Sequence, residues 1–120
     1  MPVAAASATA RSEGWGMIVG ILRLELLLHG PQSLKEKRGL LKKLIARLRN
    51  RFPISIAEVD HQDCWQRAGL GIVVVGVESA PIERLADRLE EEIAHSGLAE
   101  TGLRHFELLH YSGVDDSGCI

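Results

Sequence analysis

Four side chains that can bind a metal or move a proton lie close together in mid-chain: Asp60, His61, Asp63 and Cys64. A closed zinc site needs four ligands, commonly from paired spacings, whereas this His-x-x-Cys is unpaired. His61 and Asp63 are a possible acid-base pair, but neither a nucleophile nor a phosphate-binding loop adjoins them. We therefore expect a polar hairpin that satisfies turn amides, and we predict no metal, no cofactor and no catalytic residue.

Basic residues dominate the segment from Lys35 to Arg51. Eight cations and one anion, Glu36, give it a formal charge of +7, in a chain whose net charge is −2. On a helix, four of the cations fall within an arc of roughly 60°: Lys35, Arg38, Lys42 and Arg49. Such a row can follow successive phosphates of RNA, and Lys37 completes the candidate set. The alternative is a solvated helix face, although such faces usually mix both signs of charge.

Sequence periodicity predicts the elements that position these residues. A two-residue apolar period from Met17 to His29 predicts a strand with one buried face. Ser33 and Glu36 then fit a capping box, in which each side chain bonds the amide of the other residue. A helix with a core-facing apolar stripe should begin there and end at Pro53.

Two further strands are predicted over residues 54–60 and 70–78. The nine residues between them are many for a hairpin loop, so we expect both strands to extend into it. Gly69 or Gly71 should mark a β-bulge. The run of valines in the later strand is apolar on both faces, which is typical of a central strand.

A second helix is predicted to begin at Ser79 and to end at Gly97. A last strand is predicted over residues 103–111. The resulting order β-α-β-β-α-β predicts an α+β, ferredoxin-like domain, with a four-stranded antiparallel sheet and both helices on one face. Right-handed crossovers place the first and third strands in the centre.

The predicted domain covers residues 17–112. Residues 1–16, rich in alanine and serine, are interpreted as a disordered leader or as the product of an upstream start codon, and residues 113–120 as a flexible tail. Only two cysteines, Cys64 and Cys119, are present, so no disulfide framework is expected. A reducing, cytoplasmic location is the expectation.

The face of the sheet away from the helices is predicted to be partly apolar. Val19, Ile21 and Leu27 share it with Arg23 and Glu25. Exposed apolar patches of this kind usually mark protein interfaces, so we expect a homodimer or a protein partner there. The two charges also interrupt the apolar run well short of the roughly 20 residues that a membrane span needs. No membrane association is predicted.

Three segments resemble the YlxP-like bacterial family, a domain family of unknown function: Met17-Ile18-Val19-Gly20, Ser33-Leu34-Lys35-Glu36-Lys37-Arg38 and Ala57-Glu58-Val59-Asp60-His61-Gln62-Asp63-Cys64-Trp65-Gln66-Arg67. The resemblance covers about residues 17–112 and implies a ferredoxin-like domain, in agreement with the periodicity. Genes of this family often lie beside translation and ribosome-maturation genes, which implies work near RNA. The family offers no established catalytic residue to carry over. At position 64, directly before Trp65, this chain has a cysteine where the family usually has an aliphatic residue.

Charge and resemblance together favour a non-enzymatic RNA- or ribosome-associated factor that binds the phosphate backbone through its first helix. No aromatic residue lies in the middle of the first or third strand, so base stacking on the sheet is disfavoured. The hairpin should recognise shape or a partner through six residues: Asp60, His61, Asp63, Trp65, Gln66 and Arg67. The alternative is a homo-oligomeric binding or regulatory module, with a partner or a small ligand at the sheet face. An enzyme is the least favoured class.

Overall fold

The structure is a computed structural model that describes residues 16–112. Its elements, in chain order, are β1 (Met17–Leu28), α1 (Leu34–Arg51), β2 (Ser55–Asp60), β3 (Arg67–Gly76), α2 (Ser79–Ser96) and β4 (Ala99–Tyr111). The strands form one antiparallel sheet in the order β2-β3-β1-β4. The predicted ferredoxin-like fold is confirmed, with β1 and β3 central. The predicted tail, and the predicted leader apart from Gly16, lie outside the described residues.

The core lies between the sheet and the two helices. Alternate residues of β1 face it, because side chains along a strand point to opposite faces. Residues at helical spacing on α1 and α2 close it from the other side. These buried side chains include Leu22, Leu24, Leu26 and Leu28 of β1, Leu41, Leu44 and Leu48 of α1, and Ala86, Leu89 and Ile93 of α2. Within residues 16–112, both helices therefore cover one face and leave the other without a helix.

Two strands begin earlier than their composition suggests. β4 begins at Ala99, four residues before its predicted start. β3 begins at Arg67, so it extends into the connection as predicted, whereas β2 ends at Asp60 and does not. Pairing with β1 explains both extensions, since Leu27 lies opposite Arg67 and Leu28 lies opposite Ala99. Ladder hydrogen bonds to a neighbouring strand override the weak β-propensity of charged residues and glycine.

The predicted bulge lies where β2 meets β3. The register shifts between Glu58 and Asp60, which face Leu70 and Gly69. A Cβ on Gly69 would lie 2.8 Å from the Cβ of Asp60. The absence of a side chain at Gly69 is therefore what lets the two strands approach at this point.

The cap of α1 differs from the prediction in one bond. The Oγ of Ser33 accepts a hydrogen bond from the Glu36 amide at 3.1 Å, as predicted. The Glu36 carboxylate accepts from the amide of Gln32 at 2.8 Å, not from that of Ser33. The extended backbone at Ser33 brings the preceding amide within reach.

α2 ends at Gly97, as predicted, and Gly97 adopts the left-handed conformation at φ 75°. Neither α1 nor α2 is long and apolar enough to cross a membrane.

Candidate functional site

The N-terminal half of α1 carries cations that face solvent. Lys35, Arg38 and Lys42 of the predicted phosphate-binding row are exposed, as is Lys43 beside them. None of the four forms an ion pair with any other residue in the 16–112 range. Arg49, the fourth cation of the predicted row, is also exposed, and it donates from Nη2 to the carbonyl of Ile56 at 3.2 Å.

The structure corrects the prediction for Lys37. Its side chain is 1% exposed, because position 37 shares the helix face of the buried residues Leu41, Leu44 and Leu48. The Nζ atom donates a hydrogen bond to the carbonyl of His61 at 2.6 Å. It also lies 2.9 Å from Oε2 of Glu58, and this second contact is an ion pair that lacks the geometry of a hydrogen bond. Lys37 therefore does not present its charge to a ligand. It joins the first turn of α1 to the end of β2.

Two cations near the C-terminus of α1 are neutralised by α2. Arg47 Nε lies 2.7 Å from Oε2 of Glu92, and Arg51 Nη1 lies 3.4 Å from Oε1 of the same carboxylate. The hydrogen bond from Arg47 holds the pKa of Glu92 below its usual range, with a smaller Coulombic contribution from Arg51. The unpaired positive charge of the helix is thus concentrated in its N-terminal half.

Three of the six predicted hairpin residues belong to an ion-pair network on the outer face of the sheet. Arg23 Nη2 lies 2.7 Å from Oδ2 of Asp60 and 3.6 Å from Oε2 of Glu25. Glu25 also contacts Nε2 of His61 at 3.0 Å and accepts from Nη2 of Arg67 at 3.1 Å. The network crosses three strands, because Glu25 of β1 lies opposite Gly69 of β3, which lies opposite Asp60 of β2.

Hydrogen bonds hold both carboxylates of this network in the ionised form. Contacts with His61 and then Arg67 keep the pKa of Glu25 below its ordinary value of 4.5. The backbone amide of His61, at 2.8 Å, is the largest cause of the lowered pKa of Asp60, with a smaller contribution from Arg23. These groups therefore favour the folded state above the range in which carboxylates protonate.

The network also brings together three possible metal ligands. Ligand atoms of Glu25, Asp60 and His61 lie within 4.8 Å of one another. Arg23 and Arg67 already donate to the two carboxylates and offset the negative charge that would attract a cation. The partner of the His61 ring is Glu25, so the His61–Asp63 pair, which the sequence left as the less favoured alternative, does not form. Glu25, Asp60 and His61 thus all take part in one ion-pair network.

The other three predicted hairpin residues, Asp63, Trp65 and Gln66, are exposed and lie outside this network. They belong to the turn between β2 and β3, in which the Cys64 amide donates to the carbonyl of His61 at 3.0 Å. His61 adopts a positive φ of 62°. A non-glycine residue in the left-handed region is uncommon, and here its carbonyl and its ring both have partners.

Away from this network, the outer face of the two central strands is apolar, whereas the edge strands place Ser55 and Glu107 beside it. Ile21 lies opposite Val73, and Val19 lies between Val75 and Leu109. Val73 is 41% exposed and Val75 is 59% exposed. The outer face of β1 and β3 thus has a charged half near the β2–β3 turn and an apolar half at the other end of these two strands.

Sequence reasoning missed Arg23, Glu25 and Glu58. For Arg23 and Glu25 the available signal was two charges on the odd face of an otherwise apolar strand, to which the sequence analysis assigned no partner. Glu58 carried no comparable signal. Its role depends on the burial of Lys37, which follows from how α1 packs on the sheet.

Comparison with known proteins agrees with the resemblance noted in the sequence. Residues 19–103 match the model of a family described as "Protein of unknown function (DUF503)". The chain belongs to this family. It is also 36% identical, over 72 residues, to the "Uncharacterized protein YlxP" of Bacillus subtilis (strain 168), a match that covers 60% of this chain and 78% of the relative.

Among solved structures, the de novo designed protein Foldit4 is similar, with a TM-score of 0.43 and 15% sequence identity. The match covers 76% of this chain and 96% of the designed one. A similarity at this level supports no conclusion about function. What the family members do must therefore be inferred from the surfaces described above.

Proposed function

We propose that the protein is a cytoplasmic, non-enzymatic, RNA- or ribosome-associated factor that binds the phosphate backbone through the N-terminal half of α1. One observation carries this role. Within residues 16–112, the N-terminal half of α1 and the residue that follows it hold four exposed cations without an ion-pair partner: Lys35, Arg38, Lys42 and Lys43. Phosphate contacts by such residues supply most of the sequence-independent affinity for nucleic acid.

The contrast with other cations supports a binding role over a merely solvated face. Arg23, Arg67 and Arg104 each contact at least one carboxylate within 3.1 Å. The unpaired Arg84 and Arg88 of α2 lie on a helix that also carries five acidic residues. Only the N-terminal half of α1, among the described elements, combines several cations with a single acid. Glu36, that acid, accepts a hydrogen bond from the Gln32 amide.

Charge reversal on α1, matched by the same reversal on α2, tests this role. We expect Arg38→Glu with Lys42→Glu to weaken binding to a bacterial ribosomal RNA fragment by roughly tenfold or more at low salt. The control, Arg84→Glu with Arg88→Glu on α2, changes the net charge by the same amount as the α1 variant. It should retain most of the affinity of the wild-type protein for the RNA fragment. Titrations across a salt series, followed by fluorescence anisotropy, measure both. Absence of binding at low salt, or equal losses in the two variants, would refute the role.

A second candidate function is a homo-oligomeric binding or regulatory module that pairs through the apolar half of the outer sheet face. The exposure of Val73 and Val75 on a central strand favours it, since apolar patches of this kind are common at interfaces. A partner or a small ligand would then lie at the seam. Light scattering decides this point. A dimer that becomes a monomer on Val75→Glu supports the module, and a monomeric wild-type protein excludes it.

A further inference from the structure

We infer that Trp65 is a stacking platform for an unpaired base of the RNA whose backbone lies along α1; this rests on the proposed function. The indole is 50% exposed, although tryptophan has a large apolar surface to bury. It lies in the turn between β2 and β3, outside the core that the sheet forms with the helices. A base can therefore reach the exposed part of the ring.

Two tethers place this turn beside the first turn of α1. The amide of Leu28, the last residue of β1, donates to the carbonyl of Gln66 at 2.9 Å. α1 begins at Leu34, a short connection after β1. At the other end of the turn, Nζ of Lys37 donates to the carbonyl of His61 at 2.6 Å. The exposed indole and the unpaired cations therefore lie at the same end of the molecule.

The turn is held in one shape, which suits a platform. The His61 carbonyl accepts both from Lys37 and from the Cys64 amide, while the His61 ring contacts Glu25. Few conformations of this segment satisfy all three contacts. The turn should therefore lose little conformational entropy when RNA binds, which is the usual advantage of a preorganised contact surface.

Stacking on tryptophan selects unpaired nucleotides and tolerates any base, because every base has a π-face. Bases within a duplex are stacked on one another and do not offer that face. Cations beside the ring would meanwhile contact the phosphates that flank the stacked nucleotide. The combined surface, Trp65 with Lys35 and Arg38, thus fits a single-stranded segment or a loop of RNA, and the cations alone would fit a duplex as well.

The test compares two RNA probes with variants of the full chain. Trp65→Ala should weaken binding to an oligouridine of about 12 nucleotides roughly tenfold, and should leave the affinity for a fully paired RNA duplex and the salt slope unchanged. Trp65→Phe should restore most of the loss. In a Trp15→Phe background, oligouridine should quench the fluorescence of Trp65. Circular dichroism confirms that each variant is folded.

The outcomes separate this inference from the proposed function. Equal affinity of Trp65→Ala and the wild-type protein for oligouridine refutes the stacking role and leaves phosphate binding by α1 intact. Equal losses on both probes also refute it, because they point to a general effect on the surface. If the wild-type protein binds neither probe at low salt, both the inference and the proposed function are wrong.

Discussion

The Nζ atom of Lys37 lies 2.9 Å from Oε2 of Glu58, between α1 and the sheet, and Lys37 is only 1% exposed. The same ammonium bonds the carbonyl of His61, the first residue after β2. One side chain of a strongly basic helix is thus used inside the protein, while its neighbours remain on the surface. This contact connects the two surfaces proposed to bind RNA.

We predict that Lys37→Met destabilises the domain by about 3–5 kcal/mol, the usual effect of removing one partner of a buried ion pair. The loss leaves the Glu58 carboxylate and the His61 carbonyl without their cation. Urea unfolding followed by circular dichroism measures it. The double variant Lys37→Met with Glu58→Met should recover much of the stability, since an apolar pair can replace a buried ion pair. Equal stabilities of Lys37→Met and the wild-type protein would contradict the burial of this contact.

The pH dependence of stability should report the lowered pKa of Glu25. A carboxyl group whose pKa is lower in the folded protein stabilises it above the unfolded pKa, and that contribution is lost as the pH falls through the folded value. The wild-type protein should therefore lose stability as the pH falls below 4.5, the ordinary pKa of a glutamate such as Glu25. Glu25→Gln should be less stable than the wild-type protein at pH 7, and the difference should shrink as the pH falls. Thermal unfolding at several pH values measures this, and a difference that is constant with pH would contradict the role of Glu25.

Much of the fold follows from the sequence, because it depends on local patterns. The alternation from Met17, the cap at Ser33 and the glycine at Gly97 each mark an element without knowledge of the rest. The extension of β3 to Arg67 follows from the length of the connection, but the early start of β4 at Ala99 depends on pairing with β1, and local propensity carries no record of that pairing.

The site was harder to predict for a related reason. Charge in a sequence gives the sign of each residue but not its partner. Helical spacing alone could have separated Lys37 from Lys35, because Lys37 shares the face of Leu41 and Leu44. Arg47 and Arg38 look alike in the sequence, and only the packing of α1 against α2 separates the paired arginine from the exposed one. The opposite error, missing Arg23 and Glu25, arose because three strands must align before these charges meet Asp60 and His61.

Gly69→Ala should destabilise the protein by about 1–3 kcal/mol, the usual effect of overpacking a close contact. The added Cβ would lie 2.8 Å from Cβ of Asp60 and 3.3 Å from Nη2 of Arg23. The Asp60 atom is next to the backbone, so the strands would have to move apart. Chemical denaturation measures the change, and the Arg23–Asp60 contact should weaken with it. An unchanged midpoint would contradict the close approach of β2 and β3.

Gly39→Ala serves as the control for Gly69→Ala, and it should raise the stability of the protein where Gly69→Ala lowers it. Gly39 lies inside α1, and a Cβ there would meet no atom within 4 Å. Alanine loses less backbone entropy than glycine on folding into a helix, so we expect a gain of about 0.5–1 kcal/mol. Gly39 adjoins the exposed cations but carries no charge, so RNA affinity should not change.

Removing the negative charge of Glu92 should strengthen RNA binding. Arg47 and Arg51 are paired with this one carboxylate, at 2.7 Å and 3.4 Å. In Glu92→Gln both guanidinium groups lose their counter-charge, so the unpaired positive surface of α1 extends toward its C-terminus. We expect a several-fold gain in affinity for ribosomal RNA at low salt, and a plot of log affinity against log salt that is steeper by roughly 0.7 for each additional phosphate contact.

Glu83→Gln is the matched control for this change. Glu83, like Glu92, is a residue of α2. It is exposed and forms no ion pair within the described range of 16–112. The substitution Glu83→Gln therefore removes the same charge as Glu92→Gln without releasing an arginine. Anisotropy titrations of both variants at several salt concentrations separate the release of Arg47 and Arg51 from a general change in net charge. A gain in Glu92→Gln alone supports phosphate binding along α1. Equal gains in the two variants would mean that only net charge matters, and no gain in either would mean that RNA does not approach this helix.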